Sequence, residues 1–248
     1  MNTAWDGWKA RKIPFIPEKP VASEFFDLDE CRDILKSTDA LPVGYGRKDA
    51  SVYGINLRKT YCYMVSGKNH TGKSNLMRIA LKSAGDMDSE IAVIDFSGEY
   101  EYFTGLVGAR YIQTLEEMRA YFLELIPNFK ERYQLKKNCI ARGMSEEEIY
   151  EEMQRFPKLF IFLWDLADFL MLAENPGDKD GPIAPFLSNL IDRGKTLKVF
   201  WIAEFNQDKY SKISRLDTYS AFARDGKGVH FGGRVTEQYA FNFDNLTY

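Results

Sequence analysis

Ser66-Gly67-Lys68-Asn69-His70-Thr71-Gly72-Lys73-Ser74-Asn75 follows the apolar run Tyr61-Cys62-Tyr63-Met64-Val65 and precedes the helix-like stretch Leu76-Met77-Arg78-Ile79-Ala80-Leu81. The spacing G-x-x-x-x-G-K-S is that of a phosphate-binding loop. Its glycines let backbone N–H groups wrap an anionic oxygen, Lys73 reaches the β- and γ-phosphates, and the Ser74 hydroxyl ligates magnesium. A helix N-terminus directly behind the loop adds partial positive charge. Residues 67–75 are therefore the expected binding segment for ATP and Mg2+. A glycine-rich turn without a ligand is the competing reading, and the strand-loop-helix context argues against it.

Outward from the loop, Glu90-Ile91-Ala92-Val93-Ile94-Asp95 is a short apolar run closing on an acid, as a buried parallel strand does. With the loop helix ending near Gly85, a β-α-β unit is complete. Thr114-x-x-Glu117 and Ser145-x-x-Glu148 read as capping boxes that open one helix to about residue 137 and another over 146–155. Pro157 closes the second. Leu159-Phe160-Ile161-Phe162-Leu163-Trp164 is the most apolar strand in the chain, and chemistry is expected at its end. A helix over 182–193 and a buried strand over 198–203 follow. Residues 51–57 read as a strand feeding the loop strand. The prolines at 14, 17, 20 and 42 predict an extended arm with a short helix near 27–36. This alternation implies an α/β fold: a mostly parallel sheet with helices on both faces and ligands at the carboxyl ends of its strands. The arm is assigned to residues 1–40 and the domain to 41–248.

The 248 residues, 45% of them hydrophobic, suffice for one large core plus an arm. A net charge of −3 gives no overall attraction to phosphate backbones, so DNA is not favoured. Cys31, Cys62 and Cys139 lack metal-ligand spacing and read as reduced thiols. No run approaches the roughly 18 apolar residues that span a bilayer, and the expectation is a soluble, intracellular chain.

Taken in order, the loop, Ile94-Asp95-Phe96, Trp164-Asp165-Leu166-Ala167-Asp168 and Arg193-Gly194-Lys195-x-Leu197 resemble the FtsK/SpoIIIE family of RecA-like P-loop motors, from about residue 41 to the end. Within that family, Ile13-Pro14-x-Ile16-Pro17-Glu18, Leu41-Pro42-Val43-Gly44 and Gly228-Val229-His230-Phe231-Gly232-Gly233-x-x-x-Glu237-Gln238 look most like the C-terminal ATPase domain of the EssC/EccC coupling proteins of type VII secretion. In such motors the strand after the helical insertion ends Asp-Glu, the first acid in the magnesium shell and the second polarising the attacking water.

Two alignments fit this chain. By hydrophobic register, Asp165 takes the magnesium role and Leu166 replaces the glutamate. By the family pattern Asp-Glu-x-Ala-Asp, Trp164 replaces the aspartate and Asp165 stands for the glutamate. One carboxylate is missing either way. Loss of a positioned base removes about 10²- to 10⁴-fold of rate, so binding outlives turnover. Glu204-Phe205-Asn206 stands where the family shows Thr-Gln, and Asn206 reads equally as a shorter γ-phosphate sensor or as a loop cap. Asp95 either reaches the nucleotide or caps the next turn, and Asp168 reads as structural. His70 and His230 have no catalytic pattern. Arg193, Arg215, Arg224 and Arg234 are candidate trans-acting fingers, each with a plain surface reading beside it.

The resemblance implies an ATP- and magnesium-binding module of a type VII secretion coupling motor with weak or absent hydrolysis. It would sit in the cytoplasm at the inner face of the cell membrane, joined to an anchor and further ATPase domains upstream. Implied partners are those neighbouring domains, a second copy of the chain, and small helical exported proteins whose C-terminal signal docks in an apolar groove. Phe200, Trp201, Phe205, Tyr239, Phe241, Phe243 and Tyr248 are candidate groove rings, with core packing the competing reading. A DNA translocase of the same family is the alternative function. A competent ATPase whose base is Asp168 or Glu204 is a third.

Overall fold

Residues 15–37, 39–174, 183–194, 196–234 and 238–239 are described by a computed structural model. Two short helices, α1 (Ala22–Phe26) and α2 (Asp29–Ser37), lead into a hairpin of β1 (Ala40–Tyr45) and β2 (Val52–Asn56). The strand β3 (Cys62–Gly67), α3 (Lys73–Gly85), β4 (Ser89–Ile94), α4 (Glu101–Leu106) and β5 (Arg110–Ile112) follow. An insertion of α5 (Leu115–Ala141) and α6 (Glu146–Glu152) precedes β6 (Lys158–Leu163). The chain continues through α7 (Leu166–Ala173), α8 (Ala184–Gly194), β7 (Val199–Asn206), α9 (Tyr210–Ile213), α10 (Asp217–Ala223) and β8 (Gly228–Phe231).

The main sheet has the order β5-β4-β6-β7-β3-β8, and each pairing in it is parallel. Strand β7 lies between the loop strand β3 and β6, so the carboxyl ends of all three open onto one edge of the sheet. Alternation along β6 explains the two-layer cover. Leu159, Ile161 and Leu163 pack against α5, α7, α8 and α10, whereas Phe160, Phe162 and Trp164 share the opposite face with α3 and the hairpin. All six residues of β6 are buried, the near-continuous apolar run that a doubly covered parallel strand requires.

The structure departs from the sequence expectation in several segments. Leu41-Pro42 does not belong to an extended arm but to β1, which pairs antiparallel with β2 around an irregularity between Pro42 and Gly44. The strand tolerates the proline because the hairpin is a separate two-stranded sheet. The Pro42 carbonyl accepts a 2.6 Å bond from Ser83 Oγ, which ties the hairpin to α3. Strand β2 accordingly pairs with β1 rather than joining the sheet of β3. Both capping boxes form, but α5 runs through Pro127 to Ala141, beyond the expected end. The strand expected to close at residue 203 extends to Asn206.

Phe200, Trp201 and Phe205 are core residues, not groove residues, at 4%, 1% and 0% exposure. The Trp201 ring lies 6.2 Å from Phe122 and 6.4 Å from Phe222. Tyr239 is exposed and stacks on Tyr210. Phe241, Phe243 and Tyr248 lie outside the described residues, as do the arm residues Ile13 and Pro14, the expected helix start at 182, Lys195 and Glu237.

At the amino ends of the strands, Lys198 is 7% exposed and donates to the Phe156 carbonyl at 2.6 Å and to Gln154 Oε1 at 3.0 Å. Burial, with Lys158 and Arg132 adding repulsion, pulls its pKa down to about 8. An unfolded lysine keeps a pKa near ~10.4, so between pH about 8 and about 10.4 the unfolded chain binds more protons and stability rises with pH. Comparison of chemical denaturation across this window should show wild type gaining up to about 2 kcal/mol more than Lys198→Met. Parallel slopes would mean that Lys198 keeps an ordinary pKa.

Candidate nucleotide-binding site

The loop begins where β3 stops. Gly67 has φ +148°, and a Cβ added there would lie 2.3 Å from the Phe231 carbonyl oxygen on β8, so only glycine lets β8 pair alongside. His70 and Gly72 adopt positive φ (+61° and +103°), and Thr71 Oγ donates to the Lys68 carbonyl at 2.8 Å. These turns bring the chain back so that α3 starts at Lys73 with no side chain capping it.

A cleft of about 850 Å3 opens over this point. Of the residues expected from sequence, Asn69, His70, Gly72, Lys73, Ser74, Asn75 and Asp165 line it. Gly67, Lys68 and Thr71 do not, and serve its frame. Asn206 is also absent from the lining. Its Oδ1 accepts from the Asp208 N–H at 3.1 Å, which is the loop-capping alternative, and it pairs in register with Gly67.

Glu204, a candidate substitute base from the sequence, contacts the loop directly. Lys73, 4% exposed, donates to the Lys68 carbonyl at 2.8 Å and lies 3.6 Å from Glu204 Oε1. Ser74 Oγ donates to Glu204 Oε2 at 3.1 Å. Burial pushes the Glu204 carboxyl up, against the pull of Lys73 and Ser74. The local signal was a charged residue inside the apolar β7, where a strand buried on both sides admits an acid only beside a partner.

Asp165 stands at the N-cap of α7, where one oxygen accepts from the Asp168 N–H at 3.0 Å and the other from Lys209 Nζ at 2.7 Å. Lys209 also bonds Asp168 at 2.8 Å. Burial works against the charge on Lys209, and these two acids outweigh it, so its pKa is raised. Lys209 was not singled out from sequence, because only the fold brings it to residue 165. Asp95 is 2% exposed and accepts from the Ser97 and Tyr100 N–H groups and the Tyr111 hydroxyl, which is the turn-capping reading.

Trp164 caps the end of β6 on the α3 face, its ring 3.8 Å from that of Tyr100. His230 lies 3.4 Å from Ser66 Oγ, and burial lowers its pKa. Among the arginines, Arg193 lies over the Tyr133 ring and Arg224 pairs with Asp192 at 2.8 Å. Arg215 and Arg234 are exposed.

The donor set suits a magnesium nucleotide. A buried ammonium, a hydroxyl already polarised by a carboxylate, and an uncapped helix start converge on one cleft.

Solved structures share this fold. The cytoplasmic domain of EssC aligns over 95% of this chain and 43% of its own, with a TM-score of 0.76 and 14% identity. Thermomonospora curvata EccC (ATPases 2 and 3), in complex with a signal sequence peptide, aligns over 91% of this chain and 38% of its own at TM-score 0.56 and 15% identity. The pCW3 conjugation coupling protein TcpA, a monomer form with ATPγS, aligns over 85% and 56% at TM-score 0.59 and 16% identity. The chain therefore has the α/β P-loop ATPase fold of these proteins and spans less than half the length of the two secretion ATPases. No family model matches the sequence, and no curated protein matches it. Among the described residues, no helix is long and apolar enough to cross a membrane.

Proposed function

We propose that this chain is the nucleotide-binding module of a secretion coupling motor, binding ATP with magnesium and hydrolysing it weakly or not at all. The observation that carries this reading is the loop itself, with Lys73 and Ser74 poised in the cleft while the end of β6 presents an indole at Trp164 and an aspartate held by Lys209. Lys73 grips the phosphates, and the turn from Gly67 to Gly72 lays backbone N–H groups along them. Magnesium, for which Ser74 and Asp165 are the candidate holders, would supply neutralising charge to the phosphates when bound. Both Asp165 oxygens already accept hydrogen bonds, from the Asp168 N–H and from Lys209, so a water at the end of β6 would have to share that carboxylate with them.

The likeness to a signal-peptide complex supports a role in recognising exported helical proteins, next to further ATPase domains of a longer membrane-bound polypeptide. A DNA translocase is the second reading, favoured by no charge pattern in a chain of net charge −3. Calorimetric titration with Mg-ATP should give saturable binding, while phosphate release stays near background with or without a candidate substrate's C-terminal peptide. Brisk turnover by the isolated chain overturns the weak-hydrolysis part of this reading. No binding overturns all of it.

A further inference from the structure

We propose that Glu204 is the carboxylate that backs Ser74 and joins the magnesium shell, so that β7 supplies the acid which β6 lacks. This rests on the cleft being a magnesium-nucleotide site and names the residue that completes it. Ser74 Oγ gives its hydrogen to Glu204 Oε2 at 3.1 Å, which leaves the hydroxyl lone pairs free for a cation, and Ser74 lines the cleft. The Glu204 side chain is 17% exposed and lines the cleft, so it is sheltered but reachable.

Register explains the exchange. Leu163 pairs with Ala203, so Trp164 and Glu204 follow side by side on neighbouring parallel strands. Trp164 shares the α3 face with Phe160 and Phe162, while Glu204 reaches Lys73 and Ser74 at the start of α3. The position on β6 is thus filled by an apolar ring packed at a tilt against Tyr100, and the position one strand nearer the loop carries the oxygens. Asp165, the rival, is tied to the start of α7 and to Lys209, whereas the partners of Glu204 are the loop residues Lys73 and Ser74 themselves.

Magnesium usually takes one or two carboxylates together with substrate phosphates and waters. The Ser74–Glu204 pair meets that need without a preformed protein cage, and among the described residues no group of three or more His, Cys, Asp or Glu is placed to hold a metal. On binding, Lys73 exchanges its contact with Glu204 for the phosphates, and the carboxylate it leaves is balanced by the incoming cation.

The test measures ATPγS affinity by calorimetry in magnesium and in EDTA for wild type, Glu204→Gln and Asp165→Asn. The ratio of the two affinities is the magnesium enhancement. Glu204→Gln keeps the shape and an acceptor for Ser74, and should reduce that enhancement about 10- to 100-fold. Its magnesium-free affinity should be equal or tighter, because a negative charge beside the phosphates is gone. Such binding also reports that the variant folds. Should it not fold, Glu204→Asp, which withdraws the carboxylate by one methylene, is read in the same way. Electron paramagnetic resonance of Mn2+ with ATPγS should rank the variants identically. Full enhancement in Glu204→Gln, or a larger loss in Asp165→Asn, overturns the assignment while leaving the nucleotide site standing. Absence of nucleotide binding in wild type removes the site itself.

Discussion

Lys73→Ala is expected to weaken Mg-ATP binding by about 10- to 100-fold, the worth of one or two hydrogen bonds to a charged group. The ammonium is 4% exposed and already held between the Lys68 carbonyl and Glu204, so it is delivered to the phosphates with little rotamer freedom left to lose. The same burial makes the variant costly to the ligand-free protein, because Glu204 keeps its place without a cation. Burial alone already raises the Glu204 pKa, so the carboxyl should protonate more readily in Lys73→Ala, limiting the stability loss to about 1–2 kcal/mol near neutral pH. Calorimetric titration and urea denaturation separate the two effects. Unchanged affinity would remove Lys73 from the site.

Gly67→Ala should be the most destabilising single methyl group in the loop. At φ +148° the backbone is one that side chains avoid, and the new Cβ would meet the Phe231 carbonyl oxygen at 2.3 Å and its Cβ at 3.0 Å. Strain of that kind costs about 1–3 kcal/mol, and relief requires β8 to move off β3. The expected result is a fall in stability of about 2–4 kcal/mol on denaturation, within the range reserved for named steric or packing faults, together with loss of nucleotide binding. A change below about 0.5 kcal/mol, the usual size for a neutral surface site, would mean that β8 is not seated against the loop strand.

The loop, the helix behind it, the strands at β4 and β6 and both capping boxes were legible in sequence because each rests on local chemistry: fixed glycines, apolar runs and a Ser or Thr three residues before Glu. What stayed hidden depends on pairing partners distant in the chain. Leu41-Pro42 looked like arm because proline argues against strands, and only the partner β2 and Ser83 make it one. Phe200 and Trp201 carried two readings, groove ring and core ring, and only the assembled sheet decides for the core. Glu204 and Lys209 are 130 and 44 residues from their partners Ser74 and Asp165, so no spacing rule reaches them.

The four-residue strand β8 has β3 as its neighbour in the sheet, and β3 ends as the floor of the phosphate loop. A short edge element is the part of a sheet that peels most easily. Displacement of β8 would therefore be felt first at Gly67, and by reciprocity a filled loop would hold β8 in place. The start of the phosphate loop and the exit of β8 thus share one end of a single strand pairing, Gly67 beside Phe231.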